Sequence, residues 1–157
     1  MPERIQLRRT KGWRIPDNTV IVDRRSRWGN WYVVSTIGEL YDGELRAKLP
    51  DPKAFVVYTI DKWGHRTGSM WGGFAGRRDA VAFAVEMHSR ALLGTRADLD
   101  GIRSHRYWLA ELRGRNLACW CPVDQPCHAD VLLELANMPV AGAPAVQVLD
   151  EDDGAAL

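Results

Sequence analysis

The sequence predicts an α/β fold: one compact domain in which a mixed, mostly parallel sheet is flanked by helices as a Rossmann-like three-layer sandwich. Two observations predict it. Segments 20–22 and 55–57 are apolar runs rich in β-branched residues that do not alternate with polar ones, which is typical of parallel strands covered on both faces. Predicted strands also come first along the chain, followed by helices and then by a further strand and helix.

Four short strands are predicted in the first part of the chain, where proline, glycine and aspartate separate the apolar segments. They cover residues 4–9, 19–23, 31–35 and 54–60. The turn-forming sequences within 41–51 predict a surface excursion. The glycine-rich segment 64–76 has no phosphate-loop or dinucleotide-binding spacing, and we expect it to be a mobile loop.

Two helices and then a strand followed by a helix are predicted in the second part. The first helix covers 80–93, with Asp79 at its start, and apolar spacing places the second over 99–112. A strand over 116–120 leads into a cysteine-rich loop, and the last helix begins at His128. The core sheet is expected to combine three of the strands, at 20–23, 55–60 and 117–120.

Length and composition fit one domain over 1–137, large enough to fold without disulfides, while the acidic segment 138–157 is predicted to be a flexible, disordered tail. No apolar run approaches the roughly 20 residues that a membrane span needs. The N-terminus lacks the hydrophobic block of a signal peptide. We therefore expect a cytoplasmic protein with no membrane partner, in which cysteines stay reduced.

Positive charge is concentrated near the N-terminus although the whole chain is almost neutral. The chain has 21 Lys and Arg against 20 Asp and Glu, whereas residues 1–30 contain eight Lys and Arg against three acids. Arginine binds phosphate through paired, charge-assisted hydrogen bonds. This third of the chain is predicted either to face the phosphates of a nucleotide, a nucleic acid or a metabolite, or to be a solvated surface.

All three cysteines and one histidine lie within residues 119–128. On an extended segment Cys119 and Cys121 point to the same face, and Cys127 can fold back to meet them. With His128 they offer three thiolates and one imidazole, a common zinc ligand set, although the one-residue gap is shorter than usual. An iron–sulfur cluster would need the same three cysteines. Other histidines could supply the fourth ligand: His65, His88 or His105.

A second interpretation makes this loop catalytic. Pro126 precedes a helix whose first turn holds Cys127, His128 and Asp130, so backbone N–H groups point into the loop. A helix start lowers the pKa of a thiol, which makes Cys127 a candidate nucleophile. His128 would then act as general acid or base, with Asp130 orienting it or activating water. In a third interpretation the cysteines are small buried apolar groups and Asp130 only complements the helix dipole.

The loop 24–30 is the other candidate site. Arg24 could bind phosphate, Trp28 could stack on a base or sugar, and Asn30 could pair with a donor and an acceptor together. Gly29 would let the backbone approach a ligand closely. A turn that packs Trp28 into the core explains the Trp-Gly pair equally well.

The two candidate loops both follow predicted strands, at the ends where ligands bind in open α/β sheets. If the strands at 20–23 and 117–120 are parallel neighbours, the loops should face each other across one crevice.

Three segments carry a resemblance to a known family. Trp-Gly-Asn at 28–30 follows a strand, and Leu-Arg-Gly-Arg-Asn-Leu-Ala-Cys-Trp-Cys at 112–121 leads to Cys-His-Ala-Asp at 127–130. In these segments, and in the helix start at 76–81, the chain resembles the family catalogued as domain of unknown function 4326. Family members usually continue Trp-Gly-Asn with Pro-Phe, where this chain has Trp-Tyr. The resemblance implies a compact α/β fold and an actinobacterial or phage protein, in the host cytoplasm if phage-encoded, and it assigns no activity.

The sequence thus supports two functional hypotheses, and a purely structural or inhibitory phage protein is a third possibility. In the first, the protein binds or processes a nucleotide or nucleoside, in DNA metabolism or base modification, in a crevice between the two loops. In the second, zinc on the cysteine loop stabilises a module that binds nucleic acid or protein without catalysis, with nucleic acid held by the arginine-rich first third. The oligomeric state is not predicted.

Overall fold

A computed structural model describes residues 1–41, 43–61, 63–93 and 109–138. Most of the helix predicted over 99–112 and nearly all of the predicted tail lie outside these residues. The described strands are β1 Arg4–Gln6, β2 Thr19–Ile21, β3 Tyr32–Thr36, β4 Phe55–Ile60, β5 Arg66–Phe74 and β6 Asn116–Cys119. The helices are α1 Ile37–Leu40, α2 Gly43–Ala47, α3 Arg77–Leu93 and α4 His128–Asn137, with a 3-10 turn at Ala110–Leu112.

The described strands form two sheets of three rather than the predicted single sheet. In the first, β6 lies between β1 and β2 and is parallel to both, with Leu117 aligned with Arg4 on one side and Val20 on the other. In the second, β4 lies between β3 and β5 and is antiparallel to both. The mixed α/β class is confirmed, but the expectation that Phe55–Ile60 shares a sheet with β2 and β6 is wrong.

Strand β4 explains why that expectation failed. Val56 and Val57 are almost completely buried, at 1% and 0% exposure, so the apolar run does belong to a strand covered on both faces. Burial on both faces does not determine strand direction, because a central antiparallel strand packed against a helix has the same pattern. Val57 packs against Ala80 and Ala84 of α3.

The predicted mobile loop at 64–76 is largely the long edge strand β5. A tight turn joins it to β4: the Asp61 carboxylate accepts hydrogen bonds from the backbone N–H groups of Trp63 and His65, both at 2.9 Å. Gly64 has a φ of +87°, a backbone conformation that glycine adopts without strain. The frequent glycines made this strand difficult to predict, since glycine lowers strand propensity without preventing strand pairing.

Two apolar clusters hold the described residues together. The larger contains Val22, Leu112, Leu117 and Leu132, each fully buried, and packs α4 against the parallel sheet. The smaller packs α3 against the antiparallel sheet. Leu92 of α3 belongs to the larger cluster, so this helix connects the two halves. Among the described helices, none is long and apolar enough to span a membrane.

Gly29 has a steric role in the loop after β2. Two consecutive turns fold this loop back, because Ser26 N–H donates to Asp23 C=O at 2.9 Å and Gly29 N–H donates to Ser26 C=O at 3.0 Å. A Cβ at Gly29 would lie 2.6 Å from Arg24 Cα and 2.7 Å from the backbone oxygen of Asp23. Only glycine therefore fits there.

We expect Gly29→Ala to lower the free energy of unfolding by about 1–3 kcal/mol or more, because the new methyl group meets backbone that cannot move aside. The matched control is Gly12→Ala: nothing lies within 4 Å of its Cβ position, but its φ is +83°. The control should lose only the roughly 1 kcal/mol cost of a left-handed residue. Urea unfolding of both variants measures the difference, and equal losses would contradict the steric explanation.

Candidate functional site

The two candidate loops meet because β2 and β6 are parallel neighbours. Both loops leave the carboxyl edge of the parallel sheet, and an open cavity of about 290 Å³ lies between them and α3. Its wall is formed by Asp23, Arg24, Asn30, Tyr32, Val34, Arg77, Val81, Ala84, Val85, Cys119, Trp120, Cys121, Pro126, Cys127 and His128. The expected crevice is therefore present at the edge where the strands end.

Three thiols converge on the cavity wall. The alternation of an extended chain places Cys119 and Cys121 on one side of the backbone, with their Sγ atoms 3.5 Å apart. Cys127 caps α4, and its Sγ accepts the Ala129 N–H at 3.4 Å. All three sulfurs lie within 4.8 Å of one another. They could hold a metal ion, and no other group of three such ligands occurs among the described residues.

The thiols form one electrostatic unit. Hydrogen bonding from Cys121 and Cys127 lowers the pKa of Cys119 well below its usual range. Hydrogen bonding to Cys119 is the chief reason that the pKa values of Cys121 and Cys127 are raised. The Ala129 N–H lowers the pKa of Cys127 but is outweighed. Hydrogen bonding within the cluster therefore favours a thiolate at Cys119 over one at the helix-start thiol Cys127.

Arg4 of β1 holds the cysteine loop in place. Its largely buried guanidinium donates to the backbone oxygens of Gln125 at 3.1 Å, Pro122 at 3.3 Å and Val123. It also forms an ion pair with Asp130 at 2.8 Å. Asp130 does not line the cavity; burial raises its pKa, and the Arg4 charge opposes that change. Its observed contacts support the loop rather than a reacting group.

His128 is buried at the cavity wall, at 6% exposure. Its Nε2 lies 2.5 Å from the backbone oxygen of Val22, which can only accept, so Nε2 carries a proton. In the neutral ring Nδ1 is then the basic nitrogen, and it lies 3.9 Å from Cys127 Sγ. Among the described residues, the possible metal ligands whose donor atoms all lie within 4.8 Å of one another are the three cysteines. His128 does not belong to this group.

The other histidines lie in different settings. His88 of α3 is buried, and its ring packs edge-on against His128 with centroids 5.6 Å apart. His65 is exposed and bonds to Asp61 in the turn before β5. His105 lies outside the described residues.

The loop after β2 contributes Arg24 and Asn30 to the cavity but not Trp28 or Gly29. Trp28 is buried in the larger apolar cluster, beneath the Arg27 guanidinium. Asn30 Nδ2 donates to the Ala84 backbone oxygen at 3.1 Å, and its Oδ1 accepts the Tyr32 N–H at 2.9 Å. Asn30 thus joins this loop to α3, and its polar atoms are already engaged.

The sequence model of the family described as Domain of unknown function (DUF4326) matches residues 5–138, which include both loops and the helix that faces them. The chain belongs to the DUF4326 family. No match was found among curated proteins or solved structures.

Asp23 and Arg77 are among the cavity residues of this DUF4326 member that were not predicted from its sequence. Asp23 is 5% exposed, and its carboxylate accepts hydrogen bonds from the Arg25 backbone, the Arg25 guanidinium and Trp120 Nε1. An aspartate that ends an apolar strand beside an arginine-rich loop was the available signal. Arg77 lines the cavity from the first turn of α3; the resemblance covered this helix start at 76–81 but assigned no role to Arg77.

Burial raises the pKa of Asp23, but the hydrogen bonds from Arg25 and Trp120 outweigh burial and leave the pKa below its ordinary value of 3.8. Folding therefore favours the charged carboxylate. The resulting stabilisation is complete above the unfolded pKa of about 3.9 and is lost as the pH falls through the lower folded pKa.

We expect Asp23→Asn to lower the free energy of unfolding by about 1–3 kcal/mol at neutral pH, because hydrogen bonds to a charged group are lost. Below the folded pKa the two proteins should become similar in stability. Urea unfolding across a pH series measures this. Asp17→Asn, at an exposed aspartate, is the control and should change stability by less than about 0.5 kcal/mol. A deficit that stays constant down to acid pH would refute the role of the charge.

Proposed function

We propose that this protein binds a nucleotide or another phosphorylated nucleoside in the cavity, with a zinc ion held at the cavity wall by Cys119, Cys121 and Cys127. One observation supports the proposal above the others: three sulfurs within 4.8 Å of one another line a cavity that two arginines also line. The thiols suit a soft metal, and the arginines suit an anionic group.

Zinc fits the donor set best. Thiolates select zinc over magnesium or calcium, which prefer oxygen ligands. Tetrahedral Zn–S bonds of about 2.3 Å separate sulfurs by about 3.8 Å. The observed sulfurs, 3.5 Å apart in one pair and all within 4.8 Å, need only small movements to reach this geometry. Three protein ligands leave the fourth position to water or a ligand from the cavity, as in catalytic zinc sites.

Arg24 and Arg77 are the evidence for an anionic ligand. Both are exposed and line the cavity from different elements, the loop after β2 and the start of α3. Neither makes a side-chain hydrogen bond or ion pair with another described residue, although the Arg77 charge contributes to lowering the pKa of Glu39. The cavity volume of about 290 Å³ lies at the small end for ligand pockets and suits one nucleotide rather than a dinucleotide.

His128 and Trp120 complete the proposed site. With Nε2 bound to the Val22 oxygen, His128 presents Nδ1 beside the thiols as the group that would accept or return a proton. Trp120 is 40% exposed at the cavity wall and offers the ring face that buried Trp28 does not. In this scheme Asp130 positions the loop through Arg4 and does not react.

A purely structural zinc site is the second candidate function. Cys119 and Cys127 are only 4% and 1% exposed, and they connect the end of β6 to the start of α4. Buried thiolates that close a loop are typical of structural zinc. The two candidates differ in whether the fourth coordination position is open to small molecules.

We expect about one zinc per chain after expression with zinc, because three preformed thiolate positions bind it tightly. Elemental analysis measures the content, and Co²⁺ substitution should give the absorption bands of thiolate coordination. Cys121→Ser, at the half-buried cysteine, should reduce the zinc content, whereas His65→Ala should not.

An added small thiol should alter the Co²⁺ spectrum if the fourth coordination position is open and leave the spectrum unchanged at a structural site. Absence of zinc and of Co²⁺ bands would reject the metal site.

We expect wild-type protein to bind at least one of the common nucleoside monophosphates, and Arg24→Gln and Arg77→Gln to weaken that binding about tenfold each. Loss of one charged hydrogen bond costs about 1.5–3 kcal/mol, and 1.4 kcal/mol is tenfold. Isothermal titration calorimetry measures this. Arg78→Gln, next in sequence but absent from the cavity wall, is the control. If the wild type binds no monophosphate, or all three variants behave alike, the nucleotide assignment is wrong.

A further inference from the structure

The carboxyl edge of the parallel sheet carries a concentrated positive charge. Three segments leave the strands at this edge: 7–14 after β1, 22–31 after β2 and 120–127 after β6. Together they contain seven Lys and Arg against two acids, in a chain whose totals are 21 and 20. The rest of the chain is therefore net negative, and this edge stands out as a basic surface.

Parallel pairing places these segments side by side. Leu7 N–H donates to the Cys119 oxygen at 2.9 Å, and Val22 N–H donates to the Ala118 oxygen at 2.8 Å. Both neighbours of β6 therefore stay paired until β6 itself ends. The basic segments after β1 and β2 consequently flank the cysteine loop on its two sides.

Most of these cations remain available to a partner. Arg25 is paired with Asp23, and Arg27 with Glu111. The remaining side chains are exposed and form no ion pair with an acidic group among the described residues: Arg8, Arg9, Lys11, Arg14 and Arg24. Unpaired cations grouped on one edge indicate a polyanionic partner rather than internal stabilisation.

An exposed aromatic ring lies among these cations. Trp120 is 40% exposed, and its Nε1 donates to Asp23 at 3.2 Å, which fixes the ring orientation. The Arg9 guanidinium lies 5.0 Å from the ring centroid. An exposed ring with a guanidinium over one face suits unpaired bases, which stack on aromatic rings and on arginine, whereas the bases of a duplex already stack on each other.

We propose that this edge binds single-stranded nucleic acid, with a base stacked on Trp120 and phosphates bound by Arg8, Arg9, Lys11, Arg14 and Arg24. The inference extends the proposed function, because Trp120 and Arg24 also line the cavity and a bound strand would bring one nucleotide to it. Binding of the strand itself requires neither zinc nor a reaction.

The test is fluorescence anisotropy of a labelled oligothymidylate titrated with the full chain at several salt concentrations. Each neutralised phosphate of a single strand contributes about −0.7 to the slope of log Kobs against log salt, so five contacts give about −3.5. Arg8→Gln with Lys11→Gln should make the slope less steep by about 1.4. Lys48→Gln with Lys53→Gln removes the same charge from exposed residues near the antiparallel sheet and should leave the slope unchanged.

The stacking contact has its own pair of variants. Trp120→Leu should weaken oligothymidylate binding about tenfold, while Trp120→Phe, which keeps a ring, should retain most of it. Because both variants lose the hydrogen bond to Asp23, their difference reports on stacking rather than on stability.

Four results would overturn the inference: no oligothymidylate binding at low salt, equal or tighter binding of duplex DNA, equal binding of polyglutamate, or equal effects of the two double variants. The outcome is separable from that of the proposed function. Arg8 and Lys11 do not line the cavity, so their variants should bind nucleoside monophosphates as the wild type does. Monophosphate binding without oligonucleotide binding would reject only the present inference.

Discussion

Pairing of β6 with a parallel strand on each side brings the two cavity loops to the same edge of the parallel sheet. Through this ladder Val20 aligns with Leu117, so Asp23 and Cys119 leave the sheet at the same edge. Strand β1 places Arg4 opposite Leu117, and the Arg4 side chain extends from there to the backbone of the cysteine loop. Backbone pairing thus fixes the relative positions of segments that lie about a hundred residues apart, as the carboxyl-edge rule for α/β sheets requires.

Several polar groups near the cavity position their neighbours instead of facing a ligand. Arg4 binds three backbone oxygens and Asp130, Asn30 joins its loop to α3, and Asp23 holds Trp120 and Arg25. Buried polar groups must be paired to be tolerated, so these contacts make the loops rigid. In the proposed function, the groups that would contact a ligand are the thiols, Nδ1 of His128 and the two arginines of the cavity wall, Arg24 and Arg77. In the proposed function, these contacts would hold the cavity wall in position for a ligand.

The crevice between the two loops was predictable from the sequence, whereas the division of the strands into two sheets was not. The crevice followed from two strand ends, because a run that ends in Asp23 and one that ends in Cys119 can be recognised locally. The division into two sheets could not be recognised, since β4 has the same apolar run whether its neighbours are parallel or antiparallel. The roles of Trp28 and Asn30 were also inaccessible, because stacking on a ligand and packing in a core need the same residue types. Arg77 becomes part of the cavity only through the tertiary packing of α3.

Electrostatics of the thiol cluster connects its geometry to its proposed ligand. One negative charge on the three sulfurs, which lie within 4.8 Å of one another, is stabilised because two neighbouring S–H groups donate hydrogen bonds to one thiolate. A second thiolate would face the first in a partly buried site, which is why the pKa values of Cys121 and Cys127 are raised. A bound divalent cation removes that repulsion and allows all three thiols to lose their protons. Three thiolates and one divalent ion would leave the cluster with the same single negative charge that one thiolate gives it without metal. In the proposed function, attraction of an anionic ligand would therefore come from Arg24 and Arg77, which line the cavity, and from an open coordination position on the ion, and not from a change in the net charge of the cluster.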